Sequence, residues 1–151
     1  MHYWLFKSEP DAYSIDDLSR DGKEAWTGVR NYLARNFMRD SMQVGDKILY
    51  YHSSTTPPGV VGLAEVVSEP YPDPTQFDQS SEYFDPKAKP ESPTWILVDI
   101  GFVATFSKII TLQELRDTPA TAAMRVCQKG NRLSITPVTQ TEYEAVLSLA
   151  Q

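Results

Sequence analysis

The sequence predicts a strand-rich α+β fold, and three observations carry that prediction. Short strand-like stretches recur from "HYWLFK", with its aromatic and aliphatic residues, near the start to "LSITPV" near the end, bounded by Pro, Gly and Ser as strands commonly are. Between them stand three pairs in which Ser or Thr precedes an acid by three positions, Ser14/Asp17, Thr111/Glu114 and Thr139/Glu142, the pattern of a capping box that opens a helix. The order of these signals along the chain is irregular, which disfavours a doubly wound parallel sheet of alternating strands and helices.

Taken in order, "HYWLFK" is expected to be a strand ended by Ser8-Glu9-Pro10, because proline cannot donate to a sheet ladder. Ser14 opens the helix "IDDLSRD", and Gly22 stops it. From Tyr32 to Met42 helical spacing places Leu33, Ala34, Phe37, Met38 and Met42 on a packing side and Tyr32, Arg35, Asn36 and Arg39 on a contact side. "VGDKILYYHS" turns at Gly45-Asp46 and runs on as a strand with Ile48, Tyr50 and His52 on one face and Leu49 and Tyr51 on the other. "PPGVVGLAEVVSE" is a further strand after a Pro-Gly break. Tyr71 to Pro93 is rich in Pro, Asp and Ser and lacks periodicity, so it reads as a long loop held down by Tyr71, Phe77, Tyr83 and Phe84. "TWILVDIGFVATFS" is the longest strand signal and is expected at the centre of the sheet. Thr111 opens "LQELRD", a helix is expected over Ala120 to Val126 with Gly130 ending it, "LSITPV" is the last strand, and Thr139 opens the final helix "EYEAVLSLA".

At 151 residues one domain spanning 1–151 is expected, and 41% hydrophobic against 23% charged residues excludes a disordered chain. No apolar run approaches the roughly 18 residues of a membrane span, and the first residues lack a basic-then-apolar targeting pattern. A cytoplasmic location, or a nuclear one in a eukaryote, and no membrane partner are therefore expected. Cys127, His2 and His52 have no metal-ligand spacing, so neither metal nor cofactor is expected. Nothing in the residue pattern separates a monomer from a weak dimer.

The net charge of -6 argues against a polyanionic partner, since phosphate binding draws on Lys and Arg. Its distribution weakens that objection. From Glu65 to Asp99 eight acids face only Lys87 and Lys89, and the remaining acids and bases balance. Two acid-free basic segments survive, "AWTGVRNYLARNFMR" with Arg30, Arg35 and Arg39, and "RVCQKGNRLS" with Arg125, Lys129 and Arg132.

No Gly-rich phosphate loop, nucleophile elbow or histidine pair is present. His52 and Glu9 are the residues left for acid–base work, at spacings that imply no triad. "WTGVRNY" differs in kind: an indole followed by small residues lets a ligand approach the backbone, while Arg30 and Asn31 offer planar hydrogen-bonding groups suited to a base edge. The structural alternative keeps Trp26 in the core and Arg30 in a surface ion pair.

The stretches "YWLFKSEP", "YSIDDL", "WTGVRNYLARNFMRD", "VGDKILYYHSS", "PPGVVGLAEVV", "DPKAKPESPTWILVDI" and "NRLSITPV" together resemble, in order and along nearly the whole chain, the EVE domain family. The resemblance implies a PUA-like fold, a strongly curved, barrel-like mixed sheet with surrounding helices, related to the YTH domains that read N6-methyladenine in RNA. It also implies a non-catalytic nucleic-acid partner, DNA or RNA, whose modified cytosine or adenine enters an aromatic pocket. By that likeness Trp26, with Thr27 and Val29 beside it, stacks on the base. Backbone groups around Lys7, Ser8 and Glu9 and the side chain of Asn31 bond its edge, Arg30 borders the pocket as a candidate for phosphate contact, and His52 and Ser53 close the far wall. Tyr32, Tyr51 or His52 supplies the second aromatic surface, and Arg35, Arg39, Lys129 and Arg132 take phosphates. Two other readings stay open from sequence: a small hydrolase using His52 or Glu9 at the same pocket, and a module that binds a free nucleoside or other small molecule.

Overall fold

Six strands form one mixed, curled sheet in the order β2-β7-β4-β3-β1-β8. The computed structural model describes residues 1–151. The sheet comprises β1 (Tyr3–Ser8), β2 (Lys23–Ala25), β3 (Lys47–His52), β4 (Gly59–Val66), β7 (Asp99–Thr111) and β8 (Ile135–Val138), while β5 (Tyr71–Pro72) and β6 (Ile96–Leu97) pair in a separate ribbon. β1 runs parallel to β3, with Phe6 opposite Tyr50 and Ser8 opposite His52. The crossover that parallel pairing demands carries α1 (Pro10–Tyr13), α2 (Ile15–Asp21), β2 and α3 (Tyr32–Asn36). Every other pairing is antiparallel.

Strand alternation builds two cores from the same strands. Trp4, Phe6, Ile48, Tyr50, Ala64 and Val66 face one cluster, and Leu5, Leu49, Tyr51 and Val60 face the other. The first cluster takes Ile15 and Leu18 of α2 and Ala34 of α3. The second takes Leu115 of α4 (Leu112–Asp117) and Tyr143 and Val146 of α5 (Gln140–Leu149). Each fully buried Phe6 or Leu5 contributes about 1.5–3 kcal/mol relative to exposure, so both faces anchor the sheet.

The caps follow the sequence signals at two of three places. Ser14 and Asp17 form a reciprocal capping box on α2, as do Thr139 and Glu142 on α5. At α4 the Thr111 hydroxyl accepts from the Glu114 amide, without the returning bond that would complete a box. Three expectations are corrected. The long strand signal from Thr94 divides into β6 and β7, and β7 lies one place from the sheet edge rather than at its centre. Residues 118 to 124 form turns, followed by a 3-10 turn at Arg125–Cys127, where a helix was expected. There the fully buried Thr121 donates its hydroxyl to the Leu115 carbonyl at the end of α4, a tertiary bond that overrides helix propensity. Finally, α3 passes into a π-type turn over Phe37–Ser41, and the buried stripe is Ala34, Met38 and Met42, with Leu33 left 46% exposed.

Curling brings the two edge strands to the same cleft. It is lined from β2 by Glu24 and Ala25, and from the approach to β8 by Ser134. The long segment Tyr71 to Pro93 docks beside it through β5, a 3-10 turn at Pro74–Phe77 and the buried Gln76, whose side chain bonds the backbone of Thr94 and Trp95. No helix is long and apolar enough to cross a membrane.

Candidate functional site

Trp26 lies at the end of β2, where its amide donates to the Val98 carbonyl at 3.1 Å. Its indole is partly exposed and packs on the first core. Phe6 lies 5.5 Å away, and Tyr50 and Tyr13 meet it edge-on at 5.8 and 6.4 Å. This aromatic cluster borders a cleft of about 490 Å³ that Trp26 and Tyr13 both line. That volume falls in the range that encloses a small-molecule-sized group.

The loop after Trp26 is shaped from outside. Gly28 has φ +85°, and the Tyr83 ring lies so close over it that an added Cβ would sit 2.6 Å from Cζ. Asp73, almost fully buried, accepts from the Gly28 amide at 2.9 Å and from Arg30 Nη1 at 3.1 Å. Burial alone would push the Asp73 carboxyl up, but hydrogen bonds from Thr75, Gly28 and Arg30 outweigh it and hold the group below the ordinary carboxylate range. Arg30 also donates to Thr75 and the Tyr83 carbonyl and lies over the Tyr83 and Trp95 rings. It braces the rim instead of projecting freely.

At the other wall, the Ser8 and Tyr50 hydroxyls both donate to the Tyr13 carbonyl at 2.7 Å. The Tyr13 hydroxyl donates to Asp21 at 2.7 Å. Burial, with that Asp21 bond, raises the Tyr13 phenol well above its ordinary value, and burial lowers the Lys7 ammonium. Glu24 is raised by burial first and then by the charge of Asp21, the neighbouring Ala25 amide offsetting part of the shift.

Of the residues singled out in the sequence, Lys7, Ser8, Trp26, Thr27, Val29, Arg30 and Asn31 line this cleft. Asn31 also caps α3, its Oδ1 accepting from the Ala34 amide. Five others lie outside the lining. The Glu9 carbonyl accepts from the Ala12 and Tyr13 amides at the start of α1. Tyr32 stacks on Trp95, with centroids 4.9 Å apart. Tyr51 is buried in the second core. His52 Nε2 accepts from the Ile15 amide at 3.1 Å, and burial lowers its pKa. The Ser53 amide donates to the Ser8 carbonyl. Among the basic residues, Arg35 bonds the Thr94 carbonyl and Asn36, and Arg39 pairs with Asp40. Lys129 and Arg132 are exposed and in no ion pair, on the segment that leads to Ser134.

Sequence reasoning missed Tyr13, Glu24 and Tyr83 as lining residues. Glu24 shares a face with Trp26 two positions on, but the three-residue strand that makes this so carries no signal in the sequence. The two tyrosines come from distant segments and had none.

A curled mixed sheet, flanked by helices and open at one end over an aromatic floor, defines a PUA-like domain. The EVE domain model matches residues 2–149, and the chain belongs to that family. Thymocyte nuclear protein 1 of Homo sapiens is 40% identical over 167 residues, covering 99% of this chain and 74% of that protein. A solved Pseudomonas syringae protein superposes with a TM-score of 0.94 at 47% identity, covering 99% of each chain. The human THYN1 protein, solved in complex with 5-methylcytosine containing DNA, gives 0.92 at 38% identity, covering 100% of this chain and 98% of that one. The YTH domain of Zygosaccharomyces rouxii MRB1, solved with N6-methyladenosine RNA, gives 0.59 at 12% identity over 99% and 86% of the two chains, a likeness of fold alone.

Proposed function

We propose that this chain is a non-catalytic reader that takes one modified base of a nucleic-acid strand into the cleft over Trp26. The observation that carries the reading is the indole itself, held from below by Phe6, Tyr13 and Tyr50 and left open above. Such a surface stacks on any base, and a base must leave its own stack to reach it. The close likeness along the whole chain to the human protein solved with 5-methylcytosine containing DNA supports a modified cytosine as the occupant. Lys129 and Arg132, exposed, free of ion pairs and on the segment that leads to the lining residue Ser134, supply the phosphate contacts in this reading. With so few of them, binding is modest and falls with added salt.

The positions of the acid–base residues favour a reader over a hydrolase. The His52 lone pair is occupied by the Ile15 amide, and Glu9 lies outside the lining.

The test is fluorescence anisotropy with short single- and double-stranded DNA and RNA carrying 5-methylcytosine, 5-hydroxymethylcytosine or N6-methyladenine, against unmodified controls. Wild type should prefer one modified strand, and Trp26→Ala should lose most of that binding, since stacking on one aromatic is worth about 1–3 kcal/mol per base. Equal binding by the variant would remove Trp26 from the site.

A further inference from the structure

We propose that Glu24 selects the base: its carboxylate accepts a hydrogen bond from the exocyclic amine of a base stacked on Trp26, so the cleft takes an aminopyrimidine such as 5-methylcytosine and turns away thymine. This rests on the base-cleft reading above and adds to it the group that discriminates.

Four observations place that carboxylate. Glu24 and Trp26 are two positions apart on an extended segment and share a face. Glu24 registers opposite Ile100, which is fully buried in the first core beneath the aromatic floor. Its charge helps raise the phenols of both Tyr13 and Tyr50, the rings that meet the Trp26 indole edge-on. It also lines the cleft.

No ion pair in the protein neutralises it, and the neighbouring Ala25 amide offsets only part of its upward shift. The nearby cation, Arg20, is spent on Asp17 and Asp21, and Glu24 enters no ion pair. Burial and the charge of Asp21 both press its pKa upward. A half-buried carboxylate held by one backbone amide keeps acceptor capacity to spare and gains from a further donor, and Glu24 lines the cleft that a ligand would enter. The ligand chemistry that fits is an N–H donor on the edge of a flat ring, the contact by which a carboxylate reads cytosine.

5-Methylcytosine and thymine share a pyrimidine ring and a 5-methyl group, so stacking and shape alone hardly separate them. They differ at position 4, an amine in one and a carbonyl in the other. Thymine has a single N–H, flanked by two carbonyl oxygens, so a carboxylate that reaches for it is driven against an oxygen. The charges also orient the strand. Glu24 lines the cleft from β2 with the charge of Asp21 close to it, whereas the exposed Lys129 and Arg132 lie on the segment that runs into Ser134 ahead of β8. The base edge therefore points toward β2 and the sugar-phosphate leaves past β8.

The experiment compares single-stranded oligonucleotides identical except for one central 5-methylcytosine, cytosine or thymine, with wild type, Glu24→Gln and Trp26→Ala. Wild type should favour 5-methylcytosine over thymine by about ten- to a hundredfold. Glu24→Gln, whose amide can turn its NH₂ toward the thymine carbonyl, should bring that ratio within about threefold while still binding. Thermal melts verify that the variant is folded. An unchanged ratio in folded Glu24→Gln overturns the assignment of Glu24 and leaves the cleft reading intact. Equal binding of all three strands by wild type also overturns the assignment. If wild type binds none of them, or Trp26→Ala binds as well as wild type, the cleft reading itself fails and the inference falls with it.

Discussion

One added methyl group at Gly28 should damage the cleft in two separable ways. Gly28 sits at φ +85°, a left-handed conformation in which a side chain costs about 1–2 kcal/mol. The new Cβ would also lie 2.6 Å from Cε2 and Cζ and 2.9 Å from Cε1 of Tyr83, so the ring has to move off. That ring holds the Arg30 guanidinium 5.5 Å from its centroid, a cation–π contact worth about 0.5–1 kcal/mol where partly exposed. Gly28→Ala should therefore destabilise the protein by about 2–3 kcal/mol, read as a lower urea midpoint at unchanged slope. Tyr83→Ala supplies the control, because it removes the clashing ring. In that background Gly28→Ala should cost only its backbone part, so the double variant falls short of the sum of the singles by about 1 kcal/mol. Strict additivity would show that the ring does not rest on Gly28, and a single variant within about 0.5 kcal/mol of wild type would refute the strain argument as well.

Two further predictions concern the residues that hold the walls. Asp73→Asn keeps the shape but replaces one acceptor oxygen by a donor, facing either the Gly28 amide and Arg30 or Thr75. A loss of about 2–3 kcal/mol in urea unfolding is expected, and a neutral effect would mean that the strap is not anchored there. His52 takes up a proton less readily in the fold, because burial lowers its pKa against a smaller upward pull from Asp16, than in the unfolded chain, where it does so near pH 6.5. Its contribution to stability is thus complete above about pH 6.5 and is lost as pH falls below that value toward the folded pKa. His52→Gln retains an acceptor for the Ile15 amide without titrating, so the stability advantage of wild type over this variant should shrink between pH 8 and pH 5. A constant difference across that range would exclude the imidazole as the titrating group.

The features legible in the sequence were those written in adjacent residues. Short apolar runs bounded by Pro and Gly located β1, β3, β4 and β8, and local side-chain chemistry located the caps at Ser14 and Thr139. β2 was invisible because three residues carry no period. The break between β6 and β7 was hidden because Ile96, Leu97, Val98 and Ile100 read as one apolar run in which only Asp99 interrupts. The site divides in the same way. "WTGVRN" contributes a contiguous run of lining residues, so its composition alone drew attention. His52 and Ser53 end a strand beside Ser8, and that neighbourhood placed them near the cleft without turning them into it. Tyr83 arrives from a loop more than fifty positions away, through bonds to Arg30 that no local pattern encodes.

The sheet's order has a further implication. β2 and β8 are its two outermost strands, five places apart, yet Glu24 and Ser134 border one cavity. A barrel that closed fully would have used this gap for a seam of hydrogen bonds; here the seam is left open and an indole lies at its bottom. A molecule gripped from both borders would do the work of the missing seam, tying together the two ends of the sheet that the backbone leaves unjoined. Occupancy and resistance to unfolding would then rise together, since whatever binds only the folded chain stabilises it, and recognition in this architecture becomes the last step of closing the fold.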